Sequence, residues 1–217
     1  MRNLYFIVAG LLCFDNVSFG QGEVIFANSM KSLVYTNSYP GGPAAGLTAT
    51  NANSFYYALF VAPSNVSSVS DLAFNDANWA FTGDYATNAA RAGHLYGATT
   101  ANETTVVPGY APGTLASFTV VGWSANIGST LADLENWYAH PTFNGWVGQS
   151  AVATNQIVGG GLYVPTAIFI PIGTTTLGQI DGFTFNFIAA VPTPEPSTLA
   201  LLGSAAVVFH SLRRRRK

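Results

Sequence analysis

Phe183-Thr184-Phe185-Asn186-Phe187-Ile188-Ala189 is the stretch on which the fold class turns. Its aromatic rings recur at every second position, with Thr184, Asn186 and Ile188 between them. That is the period of a pleated strand and not of a helix. Rings at 183, 185 and 187 then leave one face of the strand together and read as one wall of a hydrophobic core.

Working outward, the same signature recurs in short runs bounded by Gly, Pro, Asn and Ser. Strands are expected at 23–27, 33–36, 55–62, 79–82, 115–125, 145–152, 162–164 and 167–170. Residues 39–46, Tyr-Pro-Gly-Gly-Pro-Ala-Ala-Gly, hold mostly turn-formers and read as a loop. Helix is scarce. Residues 67–74 would make a turn or two. Residues 130–138 form the better case, with Thr130 as the cap, Asp133 at the third position and Leu131, Leu134 and Trp137 or Tyr138 sharing a side. No βαβ rhythm and no fixed repeat interrupts the pattern. The expectation is an all-β protein: a single antiparallel β-sandwich or jelly-roll-like ectodomain with one or two short helices.

Both ends differ from this body. Met1-Arg2-Asn3 is a short basic start, and the apolar run that follows ends by Phe14. Small residues at Ser18 and Gly20 suit signal peptidase, with cleavage between Gly20 and Gln21. Residues 1–20 therefore read as a signal peptide and 21–190 as the ectodomain. Cys13, the only cysteine, leaves with the signal, so the mature body has no disulfide, thiolate ligand or thiol nucleophile. Its stability must come from an apolar core.

The net charge of −2 conceals an asymmetry. Between residues 21 and 190 the cations are Lys31 and Arg91, against Glu23, Asp71, Asp76, Asp84, Glu103, Asp133, Glu135 and Asp181. The body thus carries −6, and the last five residues return +5. A body with two cations cannot neutralise a row of phosphates, which excludes nucleic acid as a partner. It also argues against docking on anionic headgroups.

From Val191 the composition changes. Residues 191–196, Val-Pro-Thr-Pro-Glu-Pro, hold three prolines and must be extended. Residues 197–212 are sixteen mostly apolar positions. As a helix they would cover about 24 Å, enough for a transmembrane segment with some bilayer thinning. Arg213, Arg214, Arg215, Arg216 and Lys217 follow as a cytoplasmic stop. The orientation is body outside, tail inside.

Pro194-Glu195-Pro196 followed by Ser-Thr-Leu-Ala-Leu-Leu-Gly, an apolar segment and an arginine cluster resembles the PEP-CTERM sorting signal. The resemblance covers residues 191–217. It implies recognition by exosortase, processing near Pro194-Glu195-Pro196, and delivery to the cell surface or extracellular polysaccharide matrix after a membrane-anchored intermediate. Residues 23–28 and 57–63 look, more loosely, like the small sandwich-like ectodomains that often carry this tail. That likeness implies placement and no activity.

Within the body, candidate chemistry is thin. His94 and His140 lack a second ligand at metal spacing, and no cofactor or metal is expected. Asp133 and Glu135, with Asp71, Asp76, Asp84 or Asp181, could supply a glycosidase pair only if two met across a cleft. Asn75-Asp76-Ala77-Asn78 offers oxygen ligands that suit calcium, but it lacks the EF-hand pattern and suits a turn as well. No nucleophile elbow surrounds any serine, and Gly159-Gly160-Gly161 has neither the helix nor the lysine of a phosphate loop. The tryptophans Trp79, Trp123, Trp137 and Trp146, with Tyr56, Tyr57, Tyr85, Tyr96 and Tyr110, are either core or a platform for sugar rings. Trp146 and Tyr85 are the first candidates for exposure. The expected function is a non-enzymatic structural protein of the surface or matrix, associated with exopolysaccharide. A surface carbohydrate-binding module is the alternative, with glycoside cleavage behind it.

Overall fold

The computed structural model describes residues 20–39, 44–98, 104–173 and 178–191. The signal segment, Glu103, and the expected transmembrane helix with its flanking motifs lie outside the described residues. Among the described residues twelve strands are present: β1 Gly22–Ala27, β2 Val34–Thr36, β3 Gly46–Leu47, β4 Phe55–Pro63, β5 Ala80–Asn88, β6 Leu95–Gly97, β7 Thr105–Val107, β8 Leu115–Ser124, β9 Gly145–Gln149, β10 Ala153–Ile157, β11 Thr166–Ala167 and β12 Phe183–Ile188. Strands take 43% of the described residues against 8% helix, which settles the β class.

The sheet runs β11-β1-β6-β5-β4-β8-β9-β12-β2-β3, with β10 added to β8 and β7 to β1. Its spine is the antiparallel ladder from Phe55↔Ser124 to Pro63↔Ala116 between β4 and β8. The other edge of β8 is shared, by β10 near Leu115 and by β9 near Trp123. The fold departs from the expected purely antiparallel sandwich or jelly roll at two places. Strands β1 and β11 pair in parallel, as do β2 and β12. The result is one curled mixed sheet, a half-barrel. Its curl is tied by backbone bonds between distant positions in the strand order: the Val34 amide donates to the Gly93 carbonyl at 2.9 Å, and the Gly93 amide to the Thr48 carbonyl at 3.1 Å.

Each face of the spine carries its own core. Tyr57, Leu59 and Val61 of β4 with Phe118 and Val120 of β8 point into the curl, against Val24, Phe26, Phe183 and Phe185. Ala58, Phe60 and Ala62 with Val121 and Trp123 point the other way, toward Ala73, Trp79, Leu134 and Trp137. Burial on both faces explains why these two strands read as nearly unbroken apolar runs, where a half-exposed strand would alternate. The second core is roofed by helix α1, Leu131–Ala139, and by a 3₁₀ turn at Ala73–Asn75. That single turn is all that forms of the helix expected at 67–74.

Helix α1 starts as its sequence requires. Thr130 Oγ1 accepts from the Asp133 amide, and Asp133 Oδ2 accepts from the Thr130 amide, closing a capping box. One expected strand is absent, since residues 162–164 form a hairpin tip, and the one expected at 167–170 is broken up: Thr166–Ala167 pairs with β1 and Phe169 bridges Ile180.

Gly122 sits where both spine and inner core converge. A Cβ there would lie 2.7 Å from the Phe185 ring and 2.8 Å from that of Tyr57. Replacing it, Gly122→Ala, is expected to lower stability by about 1–3 kcal/mol through overpacking. A urea midpoint unchanged from the parent would contradict this packing.

Candidate functional site

The aromatic residues separate cleanly by what their polar atoms do. Trp79, Trp123 and Trp137 are buried, and each indole N–H donates to a backbone carbonyl: Ser68 at 3.2 Å, Gly128 at 2.9 Å and Phe143 at 2.9 Å respectively. A tryptophan held at both its ring and its N–H is a core pin and has no face left for a ligand. Tyr85, expected to be exposed, is half-buried against Trp123 and Phe81. Its hydroxyl accepts from the Leu131 amide at 2.9 Å, so it caps a free donor at the start of α1. Nothing local in the sequence signals that role, because the two residues are 46 apart. Tyr57 lies in the inner core, and burial pushes its phenol well above the ordinary range.

Trp146 is half-buried, as is Phe187, its cross-strand partner between β9 and β12. Tyr39 completes a trio: its ring stacks on Phe187 with centroids 3.5 Å apart and planes 3° apart, and meets Trp146 edge-on at 5.7 Å. Phe187 therefore leaves the aromatic wall of Phe183 and Phe185 and joins a surface cluster. The Asn37 side chain lies beside it, donating to Asn186 Oδ1 at 3.0 Å and accepting from the Phe187 amide at 3.1 Å. Tyr39 comes from a stretch rich in turn-formers, so its place in the trio is decided by the curl of the sheet.

Asp76 and Asp133 are spent on backbone donors. Asp76 accepts from the Ser70 amide and hydroxyl through one oxygen, and from the Asn78 amide and side chain through the other. These donors, the Ser70 amide foremost, hold its carboxyl down at about 2. Both oxygens are already saturated, so the calcium reading of residues 75–78 loses its central ligand. Asp133 is held low by Thr130 in the capping box. Asp71 accepts from the Asn75 side chain at 2.8 Å. Asp84 lies in β5, and burial raises its carboxyl. Glu135 and Asp181 are exposed.

His94 sits in the β5–β6 connection, where desolvation and then Arg91 hold the imidazole below its ordinary range. His140 ends α1, its amide donating to the Trp137 carbonyl. Among the described residues no three His, Cys, Asp or Glu side chains gather to hold a metal.

Two open depressions lie near the start of β1. One is lined by Glu23, Ile25, Thr104, Tyr163, Val164 and neighbouring residues, and the Thr104 hydroxyl donates to Glu23 Oε2 at 2.6 Å. The other is lined by Gly20, Gln21 and residues 109–111. Neither brings two carboxylates together. Gly20 and Gln21, the residues of the expected cleavage, are exposed, and β1 begins one residue later with the Gly22 amide donating to the Tyr110 carbonyl at 2.8 Å.

At the other end the chain leaves β12 beside Asn144 and Pro141. Asn144 Oδ1 accepts from the Ala190 amide, and the Pro141 carbonyl from the Val191 amide, both at 2.9 Å. Residues 192–217, directly beyond, match the family model described as the PEP-CTERM protein-sorting motif. This chain carries a PEP-CTERM sorting motif. The motif implies export, a membrane-anchored intermediate and processing by exosortase. Pro194, Glu195, Pro196 and Arg213 to Arg216 fall within the matched segment, which lies outside the described residues. No curated protein and no solved structure matches the chain. Among the described residues no helix is long and apolar enough to cross a membrane.

The Asp76 geometry has a pH consequence. Its folded pKa lies below the ordinary 3.8, so its contribution is complete above that value and is lost as pH falls through about 2. Asp76→Asn is expected to lower the melting temperature at neutral pH. The gap between variant and parent should narrow between about pH 4 and pH 2. Thermal melts across that range check it, and a gap constant with pH would contradict the assignment.

Proposed function

We propose that this is a non-enzymatic structural protein of the cell surface or extracellular matrix, released from its membrane-anchored intermediate by exosortase and associated with exopolysaccharide. The observation that carries the reading is the sorting motif at residues 192–217, placed directly after a stable β body. Signal peptidase acts first, between Gly20 and Gln21. Exosortase then acts near Pro194-Glu195-Pro196, with Arg213 to Arg216 holding the tail on the cytoplasmic side. The non-enzymatic part is supported by the use of Asp71, Asp76 and Asp133 as turn and cap acceptors, which leaves them no role in proton transfer.

A carbohydrate-binding role is the second reading, and the Tyr39, Trp146 and Phe187 trio beside Asn37 and Asn186 favours it. Sugar rings stack on aromatic faces while amides bond their hydroxyls. Against it, Tyr39 and Phe187 cover one another, so one face of each is already used.

Fractionation of native cells with and without exosortase, with intact-mass analysis, tests the leading reading. The parent strain should yield a body without the tail at the surface or in the medium, and the deficient strain a heavier, membrane-bound form. Equal mass and location in both strains would overturn it. For the second reading, a Trp146→Ala variant should lose at least about tenfold in affinity for exopolysaccharide on a glycan array. Binding that survives the substitution removes the trio as the site.

A further inference from the structure

The body begins with a tightly held strand and an unheld residue in front of it. Strand β1 pairs with β6, β7 and β11, and its Val24 and Phe26 are fully buried in the inner core. The first amide that the fold engages is that of Gly22, which donates to the Tyr110 carbonyl at 2.8 Å. The Glu23 amide follows, donating to the Gly159 carbonyl at 3.0 Å, and the Gly159 amide returns the bond at 2.8 Å. Gly22 itself is buried where only a glycine fits. A Cβ there would fall 2.0 Å from Val158 Cγ1 and 3.0 Å from the Tyr110 carbonyl oxygen.

Gln21 stands just outside this arrangement. It is exposed, and it lines the open depression shared with residues 109–111. Among the described residues nothing donates to its side chain or accepts from its backbone nitrogen. The nitrogen and the side-chain amide of residue 21 are thus both in water, next to a residue that is fixed.

We propose that Gln21 is a modification site: once its α-amine is released, the residue closes to an N-terminal pyroglutamate that caps β1. The proposal rests on the cleavage between Gly20 and Gln21 given above. In its neutral form, which predominates above an ordinary α-amino pKa of about 7.7–8.0, the α-nitrogen attacks Cδ of the side-chain amide. The N–Cδ bond forms, the Cδ–Nε2 bond breaks, and ammonia leaves carrying a proton from the α-nitrogen. The product is a five-membered lactam, and no oxidant, reductant or second substrate is consumed. Both reacting groups belong to one residue, so the step has the advantage of an intramolecular reaction. The fold opposes it with no bond that must first be broken, because its ladder starts at Gly22.

The cap has a consequence for the strand. An aminopeptidase needs a free α-amine, and trimming from residue 21 would next remove Gly22 and Glu23 with their bonds to Tyr110 and Gly159. Val24 of the core would follow. The lactam leaves no amine on which that trimming can start.

The test uses the full chain in exporting cells. Free amines are acetylated before digestion, so that ring closure during work-up is not scored. Chymotrypsin then cuts after Phe26 and yields the peptide of residues 21–26. The expected peptide is unacetylated and lighter than the open form by one ammonia. Gln21→Asn, whose shorter amide would have to close a four-membered ring, is expected to give the open peptide with one acetyl group. Incubating both exported chains with an aminopeptidase should remove the first residue of the variant and leave the parent intact. An open, acetylated parent peptide that begins at Gln21 overturns the cap and leaves the cleavage reading standing. A chain that begins at any other residue overturns the cleavage reading and the cap with it. Equal loss of the first residue from both chains overturns the protection.

Discussion

The antiparallel ladder between β4 and β8 is the constraint on which the rest of the structure depends. It is covered on both faces, so every residue along it must be apolar or have its polar atoms satisfied internally. Thr119 on β8 obeys that rule. Thr119 and Ser150 bond each other at 3.2 Å, and Ser150 Oγ accepts from the Val120 amide at 3.0 Å. On the neighbouring β5, Thr82 donates to the Leu59 carbonyl at 3.0 Å. Because the spine has two apolar faces, the chain needs two covers. The curl of the sheet supplies one, and α1 with the 3₁₀ turn supplies the other.

A body with two apolar layers and no thiol leaves its polar residues mostly occupied. Asn88 illustrates this: its Oδ1 accepts from the Ser54 and Phe55 amides, and its Nδ2 donates to the Ala49 and Asn51 carbonyls. One buried side chain thereby fixes the loop that leads into the spine. Asp76, Asp133 and Tyr85 do the same at other turns and at the helix start. A scaffold built this way holds its loops without disulfides. The sorting motif implies export of the body, and exposed Leu162 at the hairpin tip is where the scaffold has apolar surface left over.

Much of this was legible in the sequence, and the exceptions have identifiable causes. The β class, the spine strands and the Thr130–Asp133 capping box all follow from periodicity over a few residues. Helix 67–74 shrank to one turn because Asp76 draws Ser70 and Asn78 onto itself, a local competition that favours turns over helix. The strand expected at 162–164 became a hairpin tip because Gly160 and Gly161 both take positive φ. Phe187 was expected in the core wall on its alternation alone. Alternation assigns a face, but whether that face is covered depends on what packs above it, and at Phe187 this is Tyr39, not the inner core.

The sequence by itself determined the end of the chain, since three prolines, an apolar segment and a run of arginines act through composition and order and need no partner to be recognised. It also determined that the body is β and acidic. Tertiary structure alone decided that strands β1 and β11, and β2 and β12, run parallel, which curls one sheet into a half-barrel. It decided as well that Trp79, Trp123 and Trp137 are pins while Trp146 reaches the surface, and that the chain leaves β12 beside Asn144 and Pro141. The physical reason is the same in each case. Pattern along a strand sets which way a side chain points, and contacts between residues far apart in sequence set what it meets.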